Sequence, residues 1–137
     1  MTTITDASES FAQRFVDSAL SETVPYVLDN ESFASDALEV PWIRITDSLA
    51  TSKQTLGGIG NRKFTRHGIL FIQIFAPSNT GQFAAKSLAK SLLGLYESVS
   101  FDNIKCEAGV IRSIPNSNDA RWYQLELNVD FFYQEVK

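Results

Sequence analysis

One cysteine and one histidine in 137 residues remove two large classes of protein at once. Cys106 has no second thiol with which to form an internal disulfide, and His67 alone is no basis for a zinc site that needs several His or Cys ligands. Long apolar runs are missing as well. The longest, residues 68–75, is interrupted by Gln73 and falls far short of the roughly 20 residues that cross a bilayer as a helix. The first thirteen residues hold neither Lys nor Arg nor an apolar stretch, so no secretory leader is expected and a reducing cytoplasm is the inferred compartment. With only 4 prolines and 7 glycines, and with 44% apolar against 20% charged residues, the composition is that of a globular chain rather than a disordered or fibrous one. The length suits a single domain, 1–137, with one core.

Acidic and basic residues are unevenly distributed. Residues 1–47 hold nine acids against Arg14 and Arg44, a net charge of −7, whereas residues 48–96 hold six bases and no acid, a net of +6. The remainder, with four bases and seven acids, is −3, and the three return the overall −4. A separate basic segment inside an acidic chain argues against a duplex-binding protein. It favours association through unlike surfaces.

Periodicity places the elements. Phe11, Ala12, Phe15, Val16, Ala19 and Leu20 form one helical stripe over residues 8–20, with Asp6 and Ser8 as candidate N-caps. Residues 23–40 read as an irregular tether with a short extended piece at 24–28. From Trp42 the pattern has period two, with Ile43 and Ile45 on one side and Trp42, Arg44 and Thr46 on the other. After a glycine-rich turn at 57–61, the alternation resumes through Ile69 to Phe75. These two strands predict a hairpin about 45 Å long, longer than a body of about 35 to 40 Å, so its polar, basic end must project as an arm, bend, or stay disordered until something binds it, and a projecting arm is the reading adopted. Ala85, Leu88, Ala89, Leu92, Leu95 and Tyr96 form a second helical stripe over residues 82–96. Residues 104–114 and 122–133 alternate again across a turn at 115–119.

These elements predict an α+β domain of order αββαββ: a four-stranded, mostly antiparallel sheet with both helices on one face. The other face would then show Trp42, Arg44, Ile69, Phe71, Phe75, Trp122 and Phe132 uncovered, and such patches mark contact surfaces. The candidate interface set is Trp42, Arg44, Lys53, Arg62, Lys63, Arg66, Phe71, Phe75, Trp122, Glu126 and Asp130. Charge reversal at Arg62 and Arg66 is expected to impair assembly and leave the fold intact.

No catalytic constellation emerges. His67 starts a strand with no nucleophile signature beside it and reads as a structural or surface residue. Cys106 falls on an apolar strand side and reads as a small hydrophobe. Glu126 and Asp130 share a strand face but stand about 13 Å apart, too far for a glycosidase pair; they suit a neighbour's arginines instead. Gly57, Gly58 and Gly60 match no phosphate-loop pattern. Asn116, Asn118 and Asp119 match no EF-hand spacing. The basic arm tip could touch nucleic acid, but with only Phe64 as a stacking ring a protein contact is the better reading. Neither a cofactor nor a metal is expected.

Asn30 with Phe33, then Pro41-Trp42-x-Arg44, Gln54-x-Leu56-Gly57, Arg62-x-Phe64-x-Arg66-x-Gly68 leading through an Ile/Phe strand to Pro77 and Gly81, an Ala-rich helix, and a closing Trp122-Tyr123-Gln124 strand that ends Phe132-Tyr133 form an ordered set. Over residues 24–133 this set resembles the tail-terminator, or tail-completion, proteins of long-tailed bacteriophages. The resemblance implies a structural, non-enzymatic virion subunit that forms a homo-oligomeric ring, a hexamer in that family. Such a ring caps the tail tube, ends tail growth and presents the head-joining surface. Its implied partners are sibling subunits, the tail tube protein and head-tail connector proteins, with DNA only passing through the ring. Its implied place is the host cytoplasm during assembly and then the virion tail. Two alternatives remain at this point: a head-tail connector or neck protein of the same virion, and a small enzyme or ligand-binding domain with a pocket near His67.

Overall fold

The computed structural model describes residues 4–28, 40–57, 62–77, 83–114 and 122–136. The expectations placed on Asn30, Phe33, the 58–61 turn, Gly81 and the 115–119 turn lie outside the described residues. Helix α1 spans Ile4–Val16 and runs on into a 3-10 turn at Ala19–Glu22. The strands are β1 Tyr26–Leu28, β2 Trp42–Leu56, β3 Lys63–Pro77, β4 Ser100–Phe101, β5 Ile104–Ile114 and β6 Trp122–Val136, with helix α2, Phe83–Tyr96, between β3 and β4.

The sheet corrects the expected fold class. It has six strands in the order β1-β2-β3-β6-β5-β4 and is mixed, curled into a half-barrel, not four-stranded and antiparallel. β1 pairs with β2 in parallel, with Tyr26 opposite Ile43 and Leu28 opposite Ile45. β4 is two residues paired with Ile104 and Lys105 across a turn in which Asp102 and Asn103 both have positive φ, 49° and 66°. Short Asx side chains tolerate that left-handed conformation. β1 falls within the short extended piece expected at 24–28 but was not counted in the sheet, and β4 was not foreseen, because strands of three and two residues carry no readable alternation.

The long hairpin is also not a free two-stranded arm. β6 pairs with β3 along its whole length, from Pro77 opposite Trp122 to Lys63 opposite Val136. The distal end is therefore three strands wide. β2 carries register shifts between Leu49 and Thr51 and between Gln54 and Leu56, and such bulges bend a strand and raise its twist.

Both helices sit on one side of this sheet. Phe11 and Phe15 of α1 and Leu88, Leu92 and Tyr96 of α2 are buried against Ile43, Ile45, Leu70, Ile72, Ile74, Leu125, Leu127 and Val129. Phe11 is the hub: its ring lies 4.8 Å from that of Phe131 and 5.8 Å from that of Phe101, and its carbonyl accepts a 2.6 Å hydrogen bond from the buried Tyr96 hydroxyl. Burial pushes that hydroxyl's pKa upward, against the opposing charge of Arg14. Helix α1 starts earlier than its capping residues suggest. Asp6 lies in its first turn, and Ser8, inside the helix, donates to Asp47 Oδ2 on β2 at 2.9 Å.

β5 departs from strict alternation. A bulge between Cys106 and Gly109 turns Gly109 toward the helices, where an added Cβ would stand 2.5 Å from Leu93 Cδ1. Its N–H donates to Glu97 Oε2 at 2.7 Å. The slip moves Val110, which strict alternation from Ile104 and Cys106 would put on the buried side, to the opposite face, where it is 56% exposed.

Candidate interaction surface

No helix among the described residues covers the face opposite α1 and α2. Strand register arranges this face in lines that cross the strands. Thr46, Phe71, Asn128 and Val110 make one line, and Arg44, Gln73, Glu126 and Arg112 make the next. Phe71, Ile69 and Glu126 are half-buried, while Asp130, opposite Ile69, and Arg112 are exposed. Cross-strand neighbours on one face stand about 5 Å apart, so Glu126 lies directly beside Arg112, with Arg44 two strands away.

At one end of the face the expected exposure is not found. Trp42 and Trp122 keep only 5% and 7% of their surface, because with Val27 and half-buried Phe75 they form a small core of their own. The Trp42 ring stacks on Phe75 at 4.2 Å and meets Trp122 edge-on at 6.0 Å. The residue that brings these rings a cover is Val27, on β1, the strand that periodicity did not resolve.

At the other end the basic residues are divided between the two sides of the sheet. Arg66 faces the helix side. Its Nε donates to Glu135 Oε2 at 3.2 Å, and its guanidinium lies 4.8 Å over the Phe64 ring. Arg62 is exposed, with its guanidinium 6.0 Å from the same ring. Nearby, burial raises the pKa of the Tyr133 hydroxyl, and the Glu135 carboxylate raises it further. Lys53 and Lys63 belong instead to the open face, as does Lys105 on β5, which lies opposite Phe132.

Where β5 ends its pairing at Ile104 opposite Tyr133, β6 runs on to Val136. The step leaves a half-open groove of about 500 Å³ lined by Lys63, Asn103, Lys105, Phe132, Tyr133, Gln134 and Val136. Its floor is apolar and its walls carry two ammonium groups: the Lys105 Nζ lies 5.8 Å from the Phe132 ring, and His67 stacks on that ring at 5.6 Å. No carboxylate is among its lining residues. Its chemistry is that of an anion-accepting surface with an aromatic base.

Lys105 and Val110 were missing from the sequence-derived set. Lys105 was legible from the alternation that puts Ile104 and Cys106 on the other side, whereas Val110 turns on Gly109, a strand glycine that marks a bulge and exchanges the faces beyond it. Cys106 is buried beside Phe131, and burial lifts its thiol from an ordinary 9.0 to about 11, a position that suits packing rather than nucleophilic chemistry. Among the described residues, no group of three or more His, Cys, Asp or Glu side chains is placed to hold a metal. No helix among them is long and apolar enough to cross a membrane.

No family model matches this chain, and no curated protein matches it. The architecture itself is shared: fifteen chains of solved structures are similar to it. One of them aligns over 94% of both chains with a TM-score of 0.67 at 15% identity. Its name describes no activity, and at that identity the likeness shows the fold alone.

Proposed function

We propose that this chain is a structural subunit of a bacteriophage tail. It assembles with copies of itself into a ring, hexameric in the family its motifs resemble, that sits on the end of the tail tube, stops tail growth and presents the surface to which the head joins. The observation that carries the reading is the sheet face that no helix among the described residues covers, where apolar Ile69, Phe71 and Val110 stand among Glu126, Arg112 and three lysines. Contact surfaces of this mixed kind need a partner. An open face of this breadth can supply the roughly 1,600 Å² that a standard interface buries in total. Unlike charges on separate parts of one subunit allow head-to-tail contacts, which close into a ring when the rotation divides a full turn.

The test is polymerisation of purified tail tube protein with and without this chain, read by electron microscopy. The expected result is rings of the free protein and capped tubes of limited length. A protein that ignores tube ends but is captured by tailless heads is a neck protein instead. A strictly monomeric particle, indifferent to salt and concentration, overturns the assembly reading altogether.

A further inference from the structure

The geometry points to the acidic outer stripe of helix α1 of a second copy as the occupant of the basic groove at the end of the open face. This rests on the reading of the chain as a self-assembling subunit. The groove offers Lys63 and Lys105 on either side of Phe132 and has no acid among its lining residues; Asp130 stands two residues along β6 from Phe132, and exposed Glu107 two residues along β5 from Lys105. The complementary surface is on the same chain but on the other side of the sheet. Glu9 and Gln13 on the outside of α1 and Asp17 just past its end follow one another at four-residue spacing, all exposed, with Gln13 Nε2 donating to Asp17 Oδ1 at 2.8 Å.

The spans are comparable. Glu9 and Asp17 are eight residues apart, about 12 Å along a helix axis. Lys63 lies opposite Val136 and Lys105 opposite Phe132, which sets their backbones about 13 Å apart along the strands and about 10 Å across them, or about 16 Å on the diagonal. Long lysine side chains close the difference, and the Phe132 ring between them receives the apolar stems of the helix surface. Because α1 packs on one side of the sheet and the groove opens on the other, a subunit cannot satisfy its own groove. The contact is heterologous, the kind that builds rings or filaments. It gives the bipolar charge layout a specific use: the acidic first third of one copy meets the basic hairpin end of the next.

A charge-swap experiment decides it. Lys63→Glu/Lys105→Glu forms one variant and Glu9→Lys/Asp17→Lys the other, each first shown by circular dichroism and thermal melting to be folded. In sedimentation velocity at low salt, wild-type protein associates, each variant alone associates at least tenfold more weakly, and an equimolar mixture of the two recovers association, because the reversed groove accepts the reversed helix. Raising the salt to 1 M, where the screening length falls to about 3 Å, weakens both the wild-type and the mixed contact. If the wild type forms rings and the variants form them equally well, the groove assignment is overturned while ring assembly stands. If the groove variant self-associates normally but no longer binds tube ends, the occupant is the tube and the inference fails. A wild-type protein that never associates overturns both readings.

Discussion

Arg66 Nε donates to Glu135 Oε2 at 3.2 Å, tying β3 to β6 within the distal end of the long hairpin. Opposite-strand register makes them diagonal neighbours, since Arg66 faces Tyr133 and Phe64 faces Glu135. Their side chains keep 18% and 11% of their surface, so the pair is shielded enough to matter. Arg66→Glu places two carboxylates together and should cost about 1–3 kcal/mol, a drop in melting temperature of about 4 °C per kcal/mol for a domain of this size. Arg62→Glu, at an exposed position, should change the melting temperature little. The ion pair thus gives reason to expect the reversal at Arg66, unlike that at Arg62, to disturb the fold, and paired thermal melts check it.

Two glycines should respond differently to alanine. At Gly68 an added Cβ would meet the Ser48 carbonyl oxygen at 2.5 Å and Phe131 Cζ at 2.6 Å. A backbone atom of the neighbouring strand cannot move aside cheaply, so Gly68→Ala should destabilise by about 2–3 kcal/mol. At Gly109 the closest atom is the end of the Leu93 side chain, which can change rotamer, and the cost should be smaller. Urea midpoints of the two variants give the order directly.

Alkaline pH should unfold the protein through its buried acids. The Cys106 thiol is raised by burial from 9.0 to about 11, and burial raises the Tyr96 and Tyr133 hydroxyls as well. The unfolded chain therefore releases these protons at lower pH than the folded one. The stability they contribute is fully present below about pH 9 and is lost as pH rises through the folded values. Chemical denaturation at pH 8 and pH 10.5 should show the fall, and Cys106→Ala should reduce its first part. A native Cys106 should also resist thiol reagents at pH 7 and react once the chain is unfolded.

Val110→Asp should separate folding from assembly. Val110 is 56% exposed on the open face, so the substitution should alter stability by no more than about 0.5 kcal/mol. A carboxylate in the middle of a subunit contact must be desolvated, and light scattering should show weaker self-association at unchanged melting temperature. Unaltered association would remove the central part of this face from the subunit contact.

Much of the packing is legible in the sequence. Phe11 and Phe15, the alternating Ile43, Ile45, Leu70, Ile72 and Ile74, and Leu125, Leu127 and Val129 all fall in the buried cluster, because a side chain's face follows directly from a period of 3.6 or 2. The strand count was not readable in this way. β1 and β4 are too short to repeat a pattern, and both are held by neighbours that are distant or turned back through left-handed residues. The candidate surface was legible as a face but not residue by residue. Trp42 and Trp122 were placed on the correct side, yet whether they are exposed depends on each other and on Val27, three residues from three separate strands.

Chain order alone determined most of the alternation, the stripe that α2 buries and how charge divides along the polypeptide, since all three are properties of near neighbours. Of the stripe expected over 8–20, Phe11 and Phe15 are buried, but the helix ends at Val16, which is 39% exposed, and Ala19 is exposed. Tertiary structure decided that β6 would accompany β3 to its end, that Arg66 would find Glu135 while Lys63 and Lys105 would flank Phe132, and that one bulge would turn Val110 outward. Those outcomes rest on register between strands far apart in sequence, and a shift of a single residue exchanges every face beyond it.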